Sequence, residues 1–254
     1  MGLACSLPAT LTDNGYSVTY YSPEPRAVLR IVDGKQTDNV TRYANMFGIF
    51  FNYFTEEQKL SVKQHVLLND SIQKITTPYM RFYELEALCA MGEQDYVLKE
   101  MKDYWGGMLN LGATSFWEEY NPDKKGAEHL AMYGRKFGKS LCHAWGASPI
   151  YLLGKYFLGI KPLTPGYKTY LVEPELGGLE WIEGKVPTPA GEIAVKMTRN
   201  KINVKTPSGT QGVLRFKSGS IPTCRDGIVK PSGEKMYEVE LLPDREYRVD
   251  YSSL

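Results

Sequence analysis

Apolar residues recur at helical spacing from about Val40 to Leu158 and at strand spacing beyond it. Ala44, Phe47, Ile49 and Phe50 begin the first helical stripe. Thr55 followed by Glu56 and Glu57 reads as an N-cap with acids in the first turn, where side-chain oxygens and negative charge satisfy the exposed backbone N–H groups. That helix carries Leu60, Val62, Val66 and Leu67 and stops near Asn69. A third is predicted from Thr77-Pro78, proline being tolerated in a first turn, and its stripe of Phe82, Leu85, Leu88 and Met91 ends at Gly92. A fourth carries Val97, Met101 and Tyr104 to the Gly106-Gly107 pair. A last apolar helix follows His143 through Tyr151, Leu152, Tyr156 and Phe157 and ends at Gly159. Successive helices with short connections predict stacked hairpins, and the lack of a fixed repeat favours a layered barrel or bundle over a solenoid.

Pro162 and Pro165-Gly166 mark a change of regime. Short β-branched or alternating runs follow at Tyr170–Val172, Ile193–Val195, Ile202–Val204, Val213–Phe216 and Tyr237–Leu241. Pro207-Ser208-Gly209 and Pro231-Ser232-Gly233 read as turns between them, so the pattern predicts an antiparallel β-sandwich. The expected fold is therefore multidomain, α then β. It has an N-terminal segment over 1–39 without clear periodicity, extended or poorly ordered, a helical region over 40–161 and a sandwich over 162–254.

Composition narrows the partners. Lys and Arg (30) nearly cancel Asp and Glu (29), so no basic field argues for nucleic acid or a membrane surface. No apolar run reaches the roughly 18 residues that span a bilayer, and the first residues lack a signal-peptide pattern. Met1 to Ser6 fits the loose pattern for N-terminal myristoylation, with Cys5 placed for a second lipid, but six loosely specified positions match by chance often. Localisation is left open. Cys5, Cys89, Cys142 and Cys224 are widely spaced, without zinc-ligand or redox spacing, so neither a metal nor a cofactor is expected. Cys89 falls on an apolar helix face, the place of a small buried hydrophobe. Eighteen tyrosines and four tryptophans suit a protein that stacks rings on sugars, although such residues also fill cores.

Three stretches could carry chemistry. Gly106 to Pro122 is bracketed by Gly106, Gly107, Gly112 and Pro122, which predicts a loop between two helices. Within it, Phe116-Trp117-Glu118-Glu119 sets an aromatic pair beside a carboxylate: a ring stacks on a sugar face while the carboxylate moves a proton. Glu118 and Glu119 cannot form an acid/base pair, because consecutive side chains diverge. One is expected to face a cleft and the other solvent or a structural arginine. The competing reading makes Trp117 core and both glutamates surface charge. The second stretch, Ser140 to Pro149, holds His143 and Trp145 ahead of an apolar helix. There His143 either exchanges hydrogen bonds with sugar hydroxyls or caps the helix. In the third, Thr76 to Glu84, Tyr79 and Arg81 could line a cleft, or Arg81 could pair with Glu84 or Glu86 along the helix. His65 and His129 lack such surroundings.

Together these segments resemble the α-L-rhamnosidases of glycoside hydrolase family 78 over roughly Val40 to Thr198. The resemblance rests on Val40–Asn45, Thr77–Phe82, Asp103–Met108, Ala113–Glu119, Ser140–Pro149, Leu158–Pro162 with Pro165–Tyr167, and Pro187–Pro189 with Gly191. It implies that the helical region is the second half of an (α/α)6 barrel, followed by the family's C-terminal sandwich. It also implies inverting hydrolysis of terminal α-L-rhamnosyl units, with Glu118 as general base and His143 on the sugar. Trp117, Trp145 and Tyr79 are carried as substrate-binding candidates. The family's general acid lies in the first half-barrel, and nothing in residues 1–39 replaces it. The chain alone is thus expected to be inactive, with a rhamnose-containing glycan as ligand and a separate chain supplying the missing half. Two alternatives stay open: a non-catalytic carbohydrate-binding or scaffold protein, and a related helical-barrel glycosidase acting on another glycan.

Overall fold

Asn45 shows how the strand carrying Val28 is tied to the first helix. Its side-chain oxygen accepts from the Val28 N–H at 2.8 Å, and its amide donates to the carbonyls of Val28 and Thr41. A strand is thereby anchored to the first helix in the computed structural model, which describes residues 19–22, 27–32 and 35–253. Three strands, β1 (Thr19–Ser22), β2 (Ala27–Val32) and β3 (Lys35–Val40), form an antiparallel sheet in order β1-β2-β3. They lie in the segment read from sequence as lacking periodicity, although β2 is itself a short apolar run. β3 has no apolar residue before Val40, so it lacks the alternation that marks a half-buried strand. The lipidation-like Met1–Ser6 stretch, with Cys5, falls outside the described residues.

The helices are α1 (Arg42–Phe50), α2 (Glu56–Val62), α3 (Pro78–Ala90), α4 (Gln94–Asn110) and α5 (Ser148–Leu152); the expected stripes of α2 and α5 run on through π-helical turns, Lys63–Leu67 and Leu153–Phe157. Thr55 and Gln58 complete a capping box at the start of α2, each side chain meeting the other's backbone N–H. Pro78 opens α3, and Gly92, at φ +83°, follows its end in a conformation that favours glycine. Cys89 is buried on α3. Arg42 is 1% exposed and holds the α2–α3 connection from inside. Its guanidinium donates to the carbonyls of Leu67, Asn69 and Ile72 and to Glu84 Oε1, at 2.5–3.3 Å. Glu84 is thus the partner of Arg42, while Arg81 donates to the Ile75 carbonyl and lies over the Tyr104 ring.

One helix boundary departs from expectation. Gly106 and Gly107 lie inside α4, which continues to Asn110, so the predicted loop starts only after it. The reason is packing: a Cβ on Gly107 would stand 2.3 Å from the Tyr120 hydroxyl oxygen. Glycine here admits a ring instead of ending a helix.

Beyond Gly159 the chain builds two five-stranded sheets, in orders β10-β13-β8-β7-β6 and β11-β12-β9-β5-β4. The strands are β4 (Ile160–Pro162), β5 (Thr169–Val172), β6 (Trp181–Thr188), β7 (Gly191–Thr198), β8 (Lys201–Lys205), β9 (Gln211–Lys217), β10 (Thr223–Arg225), β11 (Val229–Gly233), β12 (Met236–Leu241) and β13 (Glu246–Asp250). Alternating positions on them are buried: Ile193 and Val195, Ile202 and Val204, Leu214 and Phe216, Val239 and Leu241, Tyr247 and Val249. Two corrections apply. The sandwich is not wholly antiparallel, because β5 pairs with β9 in parallel, Thr169 opposite Gln211. The three intervening strands form the long crossover that a parallel pair requires. Pro231 to Gly233 is also no turn: Pro231 pairs with Tyr237 at the edge of its sheet, beside a bulge, and the chain reverses at Glu234-Lys235. An edge strand tolerates proline, which has no N–H to offer a neighbour.

By their contacts the described residues form two compact units. One comprises residues up to Gly92 with Lys102–Ser148, the other Glu93–Met101 with Pro149–Leu254. The helical segments 93–101 and 149–159 therefore cluster with the sheets.

Candidate functional site

The two stretches singled out by sequence lie side by side in the first unit. Backbone hydrogen bonds run from the Glu118 N–H to the Ser140 carbonyl (3.0 Å) and from the His143 N–H to the Phe116 carbonyl (2.8 Å). The 143–147 corner is held by the Trp105 indole N–H, which donates to the Gly146 carbonyl at 2.8 Å. A Cβ on Gly146 would press on Phe116, so glycine permits this close approach. Tyr104 secures the other flank: its hydroxyl donates to the Thr76 carbonyl and accepts from the Tyr120 N–H. Burial raises the Tyr104 hydroxyl well above the ordinary tyrosine range, keeping it neutral and able to donate.

Glu118 is 6% exposed and receives a donor on each carboxylate oxygen. The Tyr133 hydroxyl donates to Oε1 at 2.5 Å and the Ser140 N–H to Oε2 at 3.0 Å. His143 Nδ1 stands 3.9 Å from Oε2. The Tyr133 bond, then the Ser140 bond, holds Glu118 below the usual carboxylate range; burial opposes them, and the fields of His143 and Lys139 add a little. Glu118 is thus an anion fixed in orientation, the state from which a carboxylate accepts a proton from water.

Glu119 has a different task. It is buried and meets Lys139 Nζ at 2.7 Å and Lys124 Nζ at 2.9 Å. Burial alone would raise it, and the two ammonium groups outweigh that and keep it low. One of the two glutamates was expected to face solvent or a structural arginine; Glu119 is held by two lysines instead. As an ion-paired anion, Glu119 is no proton donor.

The remaining candidates divide. Trp145, 45% exposed, packs on His143 with ring centroids 4.1 Å apart and on Tyr79 at 5.3 Å. Tyr79 is also exposed and continues to Tyr83 at 5.7 Å, and Tyr83 to Phe50 and then Phe51. A connected run of rings thus leads to the imidazole beside Glu118. Trp117, at 5% exposure, is packed inside, as the competing reading had it, but Glu118 and Glu119 are buried as well and are not the surface charge of that reading. His143 precedes a single three-residue turn, Ala144–Gly146, instead of α5 itself, and its side chain caps nothing. Tyr133, Lys139 and Lys124 were not found from sequence. The only hint was glycine at 134 and 138 around a short polar stretch. Among the described residues no group of three or more His, Cys, Asp or Glu is placed to hold a metal. No described helix is long and apolar enough to cross a membrane.

Residues 159–219, which include strands β4 to β9, match the family model described as the bacterial alpha-L-rhamnosidase C-terminal domain. The chain is 31% identical to the GH78 family rhamnosidase of Bacillus sp. GL1, with a TM-score of 0.60 over 69% of this chain and 18% of that one. The chain is similar to the C-terminal part of glycoside hydrolase family 78 enzymes. A curated alpha-L-rhamnosidase from Alteromonas sp. (strain LOR) is 29% identical over 67% of this chain. The chain spans 18% of that relative's length. The Streptomyces avermitilis alpha-L-rhamnosidase, solved with L-rhamnose, is 13% identical with a TM-score of 0.67 over 87% of this chain and 22% of that one, a likeness of fold. These structural likenesses thus take in helices as well as sheets.

Proposed function

We propose that this chain supplies the water-activating half of an inverting α-L-rhamnosidase site, with Glu118 as general base. The observation that carries this reading is the double-donor clamp on Glu118, set beside His143 and the exposed rings of Trp145 and Tyr79. An inverting hydrolase needs an ionised carboxylate to take a proton from water while a second carboxyl group, about 6.5–9.5 Å away, protonates the leaving oxygen. Glu118 meets the first requirement. Its neighbour Glu119, ion-paired to two lysines, cannot meet the second. In this reading the acid is supplied by the first half of an (α/α)6 barrel, of which residues 40–161 form the second half. His143 contacts sugar hydroxyls, Trp145 and Tyr79 stack on the ring of a terminal α-L-rhamnosyl unit, and Trp117 supports the site from behind.

The test is turnover of an aryl α-L-rhamnoside by wild type and Glu118→Gln, alone and mixed with a chain carrying the first half-barrel. The isolated chain should give no turnover. The mixture should give a product of inverted anomeric configuration, and Glu118→Gln should abolish it. Robust turnover by the isolated chain would overturn the missing-acid reading; turnover that survives Glu118→Gln would overturn the assignment of the base. A second reading, carbohydrate binding without chemistry, is favoured by the exposure of Tyr79 and Trp145 in the chain as it stands. Saturable rhamnose binding with no turnover on mixing would select it.

A further inference from the structure

Tyr133 sits in a tight reversal. Met132 and Arg135 exchange both backbone hydrogen bonds, at 3.0 and 2.9 Å, around Tyr133 at φ +54° and Gly134 at φ +72°. Positive φ at both central positions is the pattern of a type I′ turn, which glycine and asparagine fill readily and a bulky aromatic residue rarely does. Such strain persists only where the surroundings hold it, and it gathers at functional positions. Tyr133 is 71% exposed, so its ring is not there to fill a core, yet its hydroxyl is engaged with Glu118 Oε1 at 2.5 Å. The same loop supplies Ser140 to the other oxygen and Lys139 to Glu119.

We propose that Tyr133 is the positioning residue of Glu118, presented by a strained turn to clamp its carboxylate in one orientation against the Ser140 N–H. The value of such a clamp for catalysis rests on the reading of Glu118 as the base; the clamp itself does not. The charged and titratable groups around the carboxylate are Tyr133, His143 and Lys139, with Glu119 and Lys124 beyond them as an ion pair. Of these only Tyr133 donates a side-chain hydrogen bond to Glu118, and it is the largest influence holding Glu118 low.

The experiment is a carbon-13 NMR pH titration of the full chain labelled at glutamate carboxyls and tyrosine Cζ, with the Glu118 and Tyr133 signals assigned by their loss in Glu118→Gln and Tyr133→Phe. Tyr133→Phe removes only the hydroxyl and should move the Glu118 midpoint upward. Tyr133→Asn, whose side chain suits positive φ but is too short to reach, keeps the turn and should do the same. In wild type the Tyr133 ring carbon bearing the hydroxyl should titrate in step with Glu118. A wild-type midpoint in either folded variant, or a Tyr133 signal indifferent to Glu118, would overturn the proposal. An inactive chain leaves every one of these readouts intact, so failure of the clamp and failure of the rhamnosidase reading are told apart.

Discussion

Glu119 and Lys139 form the least replaceable ion pair of the site, since the Lys139 side chain has no exposed surface. Removing one member of a buried pair strands the other, at a cost of about 3–5 kcal/mol. Glu119→Gln should destabilise the fold by that order in denaturant melts, and Glu119→Gln with Lys139→Met should recover much of the loss. The pH dependence has a definite sign. Glu119 is held below its ordinary value when folded, so at mildly acid pH the unfolded chain binds the extra proton. The pair's stabilisation is therefore full above the ordinary glutamate range and is lost as pH falls through the folded value. Melting temperatures measured from pH 7 to pH 3 should fall more for wild type than for Glu119→Gln; parallel curves would refute the pairing. At this scale the sequence was half legible. Glu118 and His143 took their roles from the family resemblance, since the residues alone left structural readings of both open. Tyr133 lies 15 residues from Glu118 and Lys139 lies 20 from Glu119, in a polar loop without periodicity, so no local pattern announces either partner.

Elements were read best where burial imposes a period. α3 begins and ends where proline and glycine said it would, α2 begins at its expected cap but gives way after Val62 to a π-helix over Lys63–Leu67, and β8, β9 and β12 lie on their β-branched runs. β6 and β11 were missed because glycine and proline interrupt them, and both are edge strands that bear such residues. The end of α4 was misread because Gly107 serves Tyr120 and not a turn, a contact across 13 residues that no local rule anticipates. Arg42 escaped notice for the same reason. It was read only as part of the Val40–Asn45 match, yet it joins α1 to the α2–α3 connection through three carbonyls and Glu84. Arg42→Met fills similar volume but leaves those acceptors and one carboxylate buried. A loss of about 3–5 kcal/mol is expected by urea denaturation. A loss under about 1 kcal/mol, in the range of a surface pair, would show the network to be dispensable.

Over the whole molecule, two units each carry their own buried residues, and every candidate side chain of the site lies in the first. The run of rings from Phe51 through Tyr83 and Tyr79 to Trp145 leaves large aromatic surface in contact with water. That is an uncommon use of aromatic area in a soluble protein unless something is to rest on it. It has an optical consequence. Trp105 and Trp117 are buried, Trp181 is exposed in the second unit, and Trp145 is the exposed indole next to Glu118. Replacing Trp181 by Phe leaves Trp145 as the only water-facing emitter among the four tryptophans. Its emission should then shift to the blue and resist acrylamide quenching whenever a sugar covers the ring, and stay unchanged if rhamnose does not bind there. The chain thus carries a built-in fluorescent reporter of its own site, readable without label, turnover or partner.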